Sequence, residues 1–354
     1  MLSLLALAAA LLAGPAIAAA PDARDRAVPH YDHIIVIVEE NTGYRTILER
    51  GWAPNLTKLA HEYGSATRMY AETHPSEGNY VALLGGDTFG IHDDDAWYCV
   101  PGSDRPFCHD TAAAGYAAHL IEGPNLATEL RAKGLAWRAY LEDIPEPGSL
   151  AIASPGASNT PPGLYAAKHT GFTNFASVQR DAGLARELVG LDALDADLRA
   201  GTVPAFALVV PNQCNDMHGI GARNAPADCA GSDEALVRRG DAHAADLVAA
   251  IQSSPIWTAP NATTAIVITW DEDGKEFPSN PKSCCVADAH NPGGGHIPTI
   301  VIANHGPRRV VDPTPYNHYS LLRTIEDALR LNGHLRHAGD ATVLPMTPLF
   351  ALSP

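Results

Sequence analysis

Positive charge is scarce in this chain: 24 Lys and Arg stand against 40 Asp and Glu, a formal net charge of -16 over 354 residues. No basic stripe of the kind that follows a phosphate backbone is present, which disfavours nucleic acid and anionic membrane surfaces as partners. A small anion remains an admissible substrate if a metal supplies the positive charge. Aromatic residues make up only 6%, a composition that leans away from a broad lipid-binding entry. The six cysteines include no CxxC pair, so a structural zinc site lacks its usual spacing. No G-x-S-x-G elbow is found, which removes the α/β-hydrolase type of serine esterase. Beyond the first twenty residues no apolar run approaches the length of about 20 needed for a membrane span.

Those first twenty residues also lack any charged side chain. Residues 2–12 are apolar, Ala16-Ile17-Ala18 offers an A-x-A cleavage site and Pro21 lies just beyond. This pattern predicts a signal peptide over residues 1–20, although the positive n-region is missing, and a secreted or periplasmic mature protein. A membrane anchor is the alternative. In an exported chain the cysteines predict disulfides. Cys99 with Cys108 and Cys214 with Cys229 are the local options, while Cys284-Cys285 can bond each other or distant partners.

Four short β-branched runs read as strands buried on both faces: residues 33–38, 205–210, 264–270 and 298–303. A helical stretch lies around residues 55–63, and the helical periodicity between the runs is clearest over residues 235–251 and 319–331. The alternation predicts an α/β fold, doubly wound around a mainly parallel central sheet with helices on both faces. One domain over residues 28–354 is expected. The Pro-, Gly- and Ser-rich stretch 145–162 reads as a loop or cap inserted in it.

In such folds ligands gather at the carboxyl ends of the strands. Glu39-Glu40-Asn41 follows the first run, Asn215-Asp216-Met217-His218 the second, and Asp271-Glu272-Asp273 the third; Gly293-Gly294-Gly295-His296 precedes the fourth. One acidic loop after a strand is ordinarily a turn or a helix cap. Four such clusters at one edge make a donor set for a divalent cation. Ser76 opens a helical stretch, where free N–H groups favour a bound anion, with a plain N-cap as the alternative. His30, His109, His119, His243, His334 and His337 read as solvated or structural, and His318 as a packing or capping residue.

Several motifs in order carry a family resemblance. Residues 33–41, Thr73-His74-Pro75-Ser76 with Asn79-Tyr80, and Trp270-Asp271-Glu272-Asp273-Gly274 resemble the phosphoesterase family. That family contains bacterial acid phosphatases and phosphatidylcholine-type phospholipases C, and is related to the alkaline phosphatase superfamily. Residues 137–145, Lys168-His169, residues 211–218 and residues 317–322 add to the likeness, which spans about residues 33–331.

The resemblance implies a secreted metal-dependent hydrolase of phosphate esters, acting on a small ester or a phospholipid head group through a phosphoserine. It implies one divalent ion held by Glu40, Asn41, Asp271 and Glu272, with Ser76 as the nucleophile on the same ion. Calcium, magnesium or manganese suit the oxygen-rich ligands best, and zinc is admitted. It further implies His169 and His218, with His74 beside them, as contacts of the phosphoryl oxygens or proton donors, and Asn79 and Lys168 as substrate-binding residues. Ser76 lies ten residues before Gly86, as the nucleophile of related phosphodiesterases lies before a glycine, whereas Thr73 does not. Gly78 departs from the proline frequent in the family, Asp273 is the alternative to Glu272 as ligand, and the loop holding His290 and His296 matches no family pattern. A non-catalytic secreted binding protein for metals or polyanions on the same scaffold would have lost the nucleophile or a ligand pair, and both are kept. Oligomeric state is not legible.

Overall fold

The computed structural model describes residues 27–155, 163–220, 226, 229–274, 282–286 and 293–352. The expected leader over residues 1–20, part of the stretch 145–162, and His290 lie outside these residues.

The four runs form strands, at β1 His33–Glu39, β7 Phe206–Val210, β8 Thr264–Trp270 and β9 His296–Ala303. With β2 Gly64–Tyr70, β3 Trp137–Leu141, β6 Leu188–Gly190, β10 Val310–Asp312 and β11 Tyr316–Asn317 they make a nine-stranded sheet. Its order is β10-β2-β9-β8-β1-β7-β3-β6, with β11 also pairing β2. Every pairing is parallel except those of β9, which runs antiparallel to both β8 and β2.

β1 occupies the middle of this order, in parallel register with β7 and β8. Every residue from Ile34 to Val38 is buried. That is why the run is uniformly β-branched instead of alternating with polar residues. Each such side chain contributes roughly 1.5–3 kcal/mol by burial. Helices cover both faces. Pro54–Glu62 packs with the 21-residue helix Asp233–Ser253, while Glu77–Gly85 packs with His318–Ala328 and Leu126–Lys133. Buried Asp241, in the long helix, accepts from the backbone N–H groups of Asn55 and Leu56, and so ties that helix to the start of the 54–62 helix.

Off the main sheet lies a two-stranded antiparallel ribbon, β4 Ala153–Ser154 against β5 Tyr165–Ala166. Three disulfides join Cys99 to Cys108, Cys214 to Cys229 and Cys284 to Cys285. No helix among the described residues is long and apolar enough to cross a membrane.

One acid in the core carries a stability consequence. Glu326 is 1% exposed; one carboxyl oxygen accepts from Leu335 N at 2.8 Å and the other has no hydrogen-bond partner. Burial pushes its pKa up to about 8 from 4.5. The folded state therefore holds a proton that the unfolded chain releases, and stability from this group is lost as pH rises from about 4.5 through 8. Glu326→Gln should keep the Leu335 contact and flatten that slope, measured as midpoint denaturant concentration from pH 5 to pH 8.

Candidate active site

Because β9 runs against its neighbours, its first residues meet the carboxyl ends of β1, β7 and β8 at the same edge. Backbone bonds lash those ends together: Glu40 N donates to Asp216 O at 2.8 Å and Asp271 N to Glu39 O at 3.1 Å. Asn41 N donates to the Asp271 carboxylate at 2.8 Å. The acids that follow each strand are thus held side by side by main chain.

Ser76 sits immediately before the Glu77–Gly85 helix and is fully buried. Its hydroxyl makes no capping bond to that helix. Its Oγ instead lies 3.3 Å from Glu40 Oε2, 3.2 Å from Glu272 Oε1 and 3.4 Å from Asn41 Nδ2. One hydroxyl proton cannot serve two carboxylates at once, so capping does not explain the residue. Asn79, expected at the substrate, is used otherwise. Its amide accepts from the N–H groups of Glu72 and Thr73 and donates to Thr73 O, so it braces the loop that delivers Ser76. Gly78 leaves no room for a side chain: an added Cβ would come within 2.6 Å of Ile91 O.

The histidines divide by environment. His169 is buried, with Nε2 3.2 Å from Glu40 Oε1 and its ring stacked on Tyr80 at 5.6 Å. Burial, then the charges of Lys168 and His218, hold it well below its ordinary pKa, hence neutral. His218 is partly exposed, with Nδ1 3.8 Å from Glu40 Oε2. His74 pairs with Glu272 and lies 3.6 Å from Asp273. Burial opposes its charge, but the bond to Glu272 outweighs it and raises the imidazole. Lys168 Nζ binds Asp94 at 2.6 Å; burial works against its charge, and Asp94 and Glu40 overcome that.

Glu40, Asp216, Asp271, Glu272 and Asp273 are each at most 3% exposed. Burial, followed by the neighbouring Asp271, drives Glu40 well above the carboxylate range. Asp271 Oδ2 has no hydrogen-bond partner. Packing like charges out of water is costly unless a counter-charge joins them. A divalent cation fits this set of oxygens. Glu40, Asn41, Asp271, Glu272 and Ser76, the five expected ligands, are brought together; a half-turn of the Asn41 amide presents its oxygen. Asp216, named at the sequence level only as part of a loop cluster, also belongs here. Its carboxylate, that of Glu40 and His169 offer ligand atoms within 4.8 Å of one another. Its only sequence signal was its place just beyond β7.

A second buried group surrounds His119, which the sequence assigns to a solvated or structural role. His119 is buried, with Nδ1 3.0 Å from Glu77 and Nε2 2.9 Å from Asp93, and Asn174 donates to Glu77 and to His119 O. Burial disfavours the imidazolium, but Asp93 and Glu77 push it up to about 10; burial pushes Glu77 up to about 7. This structural network ties the first turn of the Ser76 helix to the 93–119 loop. His296 is engaged elsewhere, bonding Thr67 O at 3.0 Å and stacking on Tyr44 at 4.4 Å. His318 behaves as a packing residue, bonding Glu72 and, at 2.8 Å, Trp270 O.

An α/β scaffold with a serine hydroxyl set among buried carboxylates, a neutral histidine and a lysine defines a class of ester-cleaving enzymes built for anionic groups. The Phosphoesterase family model matches residues 46–332, and the chain belongs to that family. It is a phosphoric ester hydrolase. It is 28% identical over 304 residues to a phosphatidylinositol-3-phosphatase of Mycobacterium tuberculosis, covering 85% of this chain and 77% of that protein. An acid phosphatase of Aspergillus fumigatus is 26% identical over 77% of this chain and 49% of its own length. A phosphate-repressible acid phosphatase of Penicillium chrysogenum is 30% identical over 53% and 39%. The chain thus spans half or less of these two fungal enzymes.

Among solved structures, a sulfatase from Pseudoalteromonas sp. aligns with TM-score 0.51 at 13% identity, covering 92% of this chain and 72% of that one, a likeness of fold alone. A protein in the alkaline phosphatase superfamily from Vibrio parahaemolyticus aligns with TM-score 0.49 at 14% identity, over 85% and 67%.

Gly295 tests the geometry of the edge. It has φ +87°, and an added Cβ would run into the carboxyl group of Asp273. Gly295→Ala should cost about 1–3 kcal/mol of stability. Thermal unfolding checks this; an unchanged midpoint would mean that the turn adapts.

Proposed function

We propose that the chain is an exported, metal-dependent phosphomonoesterase that works through Ser76 and a phosphoserine. The observation that carries this is the placement of Ser76 Oγ between Glu40 and Glu272 at a helix start, with His169 and His218 at Glu40. The relatives named as phosphatases favour a monoester over a phospholipase C substrate. The disulfides favour an oxidising compartment.

Glu40, Asn41, Asp271, Glu272 and Asp216 would hold a divalent cation, which when bound would supply positive charge that lowers the serine pKa and neutralises the phosphate. Ser76, ionised with its proton released to bulk water, attacks phosphorus in line through Oγ, forming the serine ester bond as the bond to the substrate oxygen breaks, and leaves as the same alkoxide in the second step. His218, partly exposed, gives a proton to the departing oxygen, a step worth about 10²–10⁴-fold. Neutral His169, buried against Glu40, hydrogen-bonds a phosphoryl oxygen. Lys168, fixed by Asp94, adds positive charge that the acidic surface cannot. Water then displaces Ser76 from phosphorus, releasing phosphate, and its proton passes back to His218.

Ser76→Ala should lower kcat on p-nitrophenyl phosphate by about 10³-fold or more while leaving the fold intact. Unchanged turnover would move the nucleophile elsewhere. Chelation should abolish activity and a divalent salt restore it. Asp216→Asn should raise the cation concentration needed for half-recovery by about 10–100-fold, read by metal titration of the chelated protein.

A further inference from the structure

Beside Lys168 and His218 the protein opens a cavity of about 390 Å³. Trp97, Phe107, Ile152 and Ile220 line it, with Ala153 and Ala166 between them. The four large side chains are only half-buried, so each leaves apolar surface facing the opening. The disulfide Cys99–Cys108 and a backbone bond from Ala96 N to Phe107 O at 3.0 Å hold the Trp97 and Phe107 side. Cys214, beside Gln213 in the wall, is bonded to Cys229. Preformed walls of this kind lower the ordering cost of binding.

Apart from Lys168 and His218 at the reacting site, the polar groups of the wall are engaged with the protein: Asp94 accepts from Lys168 Nζ at 2.6 Å and Glu77 N at 3.2 Å, and Asp95 from His109 N at 2.6 Å and Tyr116 Oη at 2.7 Å. Trp97 Nε1 donates to Leu150 O at 3.1 Å, Gln213 Nε2 to Gly163 O at 2.6 Å, and Asn174 Nδ2 to His119 O at 3.0 Å. A polyhydroxylated alcohol entering here would exchange water for carbon and lose hydrogen bonds, whereas a ring of carbon would not. The volume corresponds to about a dozen waters, enough for a single-ring group.

We infer that this cavity is the leaving-group subsite and that it selects phosphate monoesters of apolar, ring-bearing alcohols over those of polyols. The inference rests on the phosphomonoesterase reading above, since Lys168 and His218 belong both to the reacting site and to the cavity mouth. It follows that Trp97, Phe107 and Ile152 are specificity-determining residues that touch the alcohol and not the phosphorus.

The test compares 2-phenylethyl phosphate with glycerol 3-phosphate, both esters of alkyl alcohols, so that leaving-group acidity does not dominate the comparison. Wild type should favour the phenylethyl ester by at least about tenfold in kcat/KM, mainly through KM. Ile152→Asp and Ala153→Trp, one making the wall polar and the other filling the cavity, should each remove most of that preference. Circular dichroism and the thermal midpoint show that both variants fold, and the readout is the ratio of the two kcat/KM values, which should fall toward one. Equal kcat/KM for the two esters in wild type, or a preference that survives both substitutions, overturns the subsite and leaves ester hydrolysis standing. No turnover of either ester overturns both readings.

Discussion

The molecule is organised around crowded negative charge. Glu40, Asp216, Asp271 and Glu272 end three different segments of the same sheet edge, all buried, and two of them share the hydroxyl of Ser76. In a low-dielectric interior like charges repel strongly, so the arrangement is stable only when protons or a cation join it. Protonation would leave neutral acids beside a serine with no activating base. In the function proposed above, a cation would turn the same side chains into a site that attracts phosphate, polarises it and prepares Ser76 as the nucleophile. The rest of the fold serves that crowding: the β1 backbone is locked between β7 and β8, and β9 is reversed so that its glycine turn seats Asp273.

Much of this was legible in the chain. The β-branched runs gave the central strands because both faces of β1, β7 and β8 are covered, which removes the polar alternation of half-exposed strands. Residues 33–38, 264–270 and 298–303 fall within observed strands, and residues 205–210 match β7 except for Ala205. The clusters after the strands converge because strand ends converge. By contrast β2, β3, β6 and the short edge strands were not marked as strands. Gly64-Ser65-Ala66-Thr67 in β2 has a small, mixed composition, and β6 is three residues long. Their pairing is a tertiary fact with little local signal.

The site was legible in part, and the misses have physical reasons. Ser76, Glu40, Asn41, Asp271 and Glu272 do meet, and His169 and His218 reach the same carboxylate. Asn79 was expected at the substrate, but its amide is complementary to the loop that it braces. Asp216 was overlooked as an individual ligand because an Asn-Asp pair after a strand reads equally well as a turn. His119 has the structural role that its sequence context allows, and its partner Glu77 was not legible because only folding of the 93–119 loop brings the two together. The sparse aromatics suggested no apolar entry, yet a few half-buried side chains gathered in one place suffice to make one. Composition averages over the chain; a pocket does not.

A crystal structure of the protein soaked in manganese, read by anomalous scattering, addresses the cation most directly. The expected result is one strong peak about 2.0–2.6 Å from oxygens of Glu40, Asp271 and Ser76. No peak there, or a peak coordinated by other residues, would contradict it.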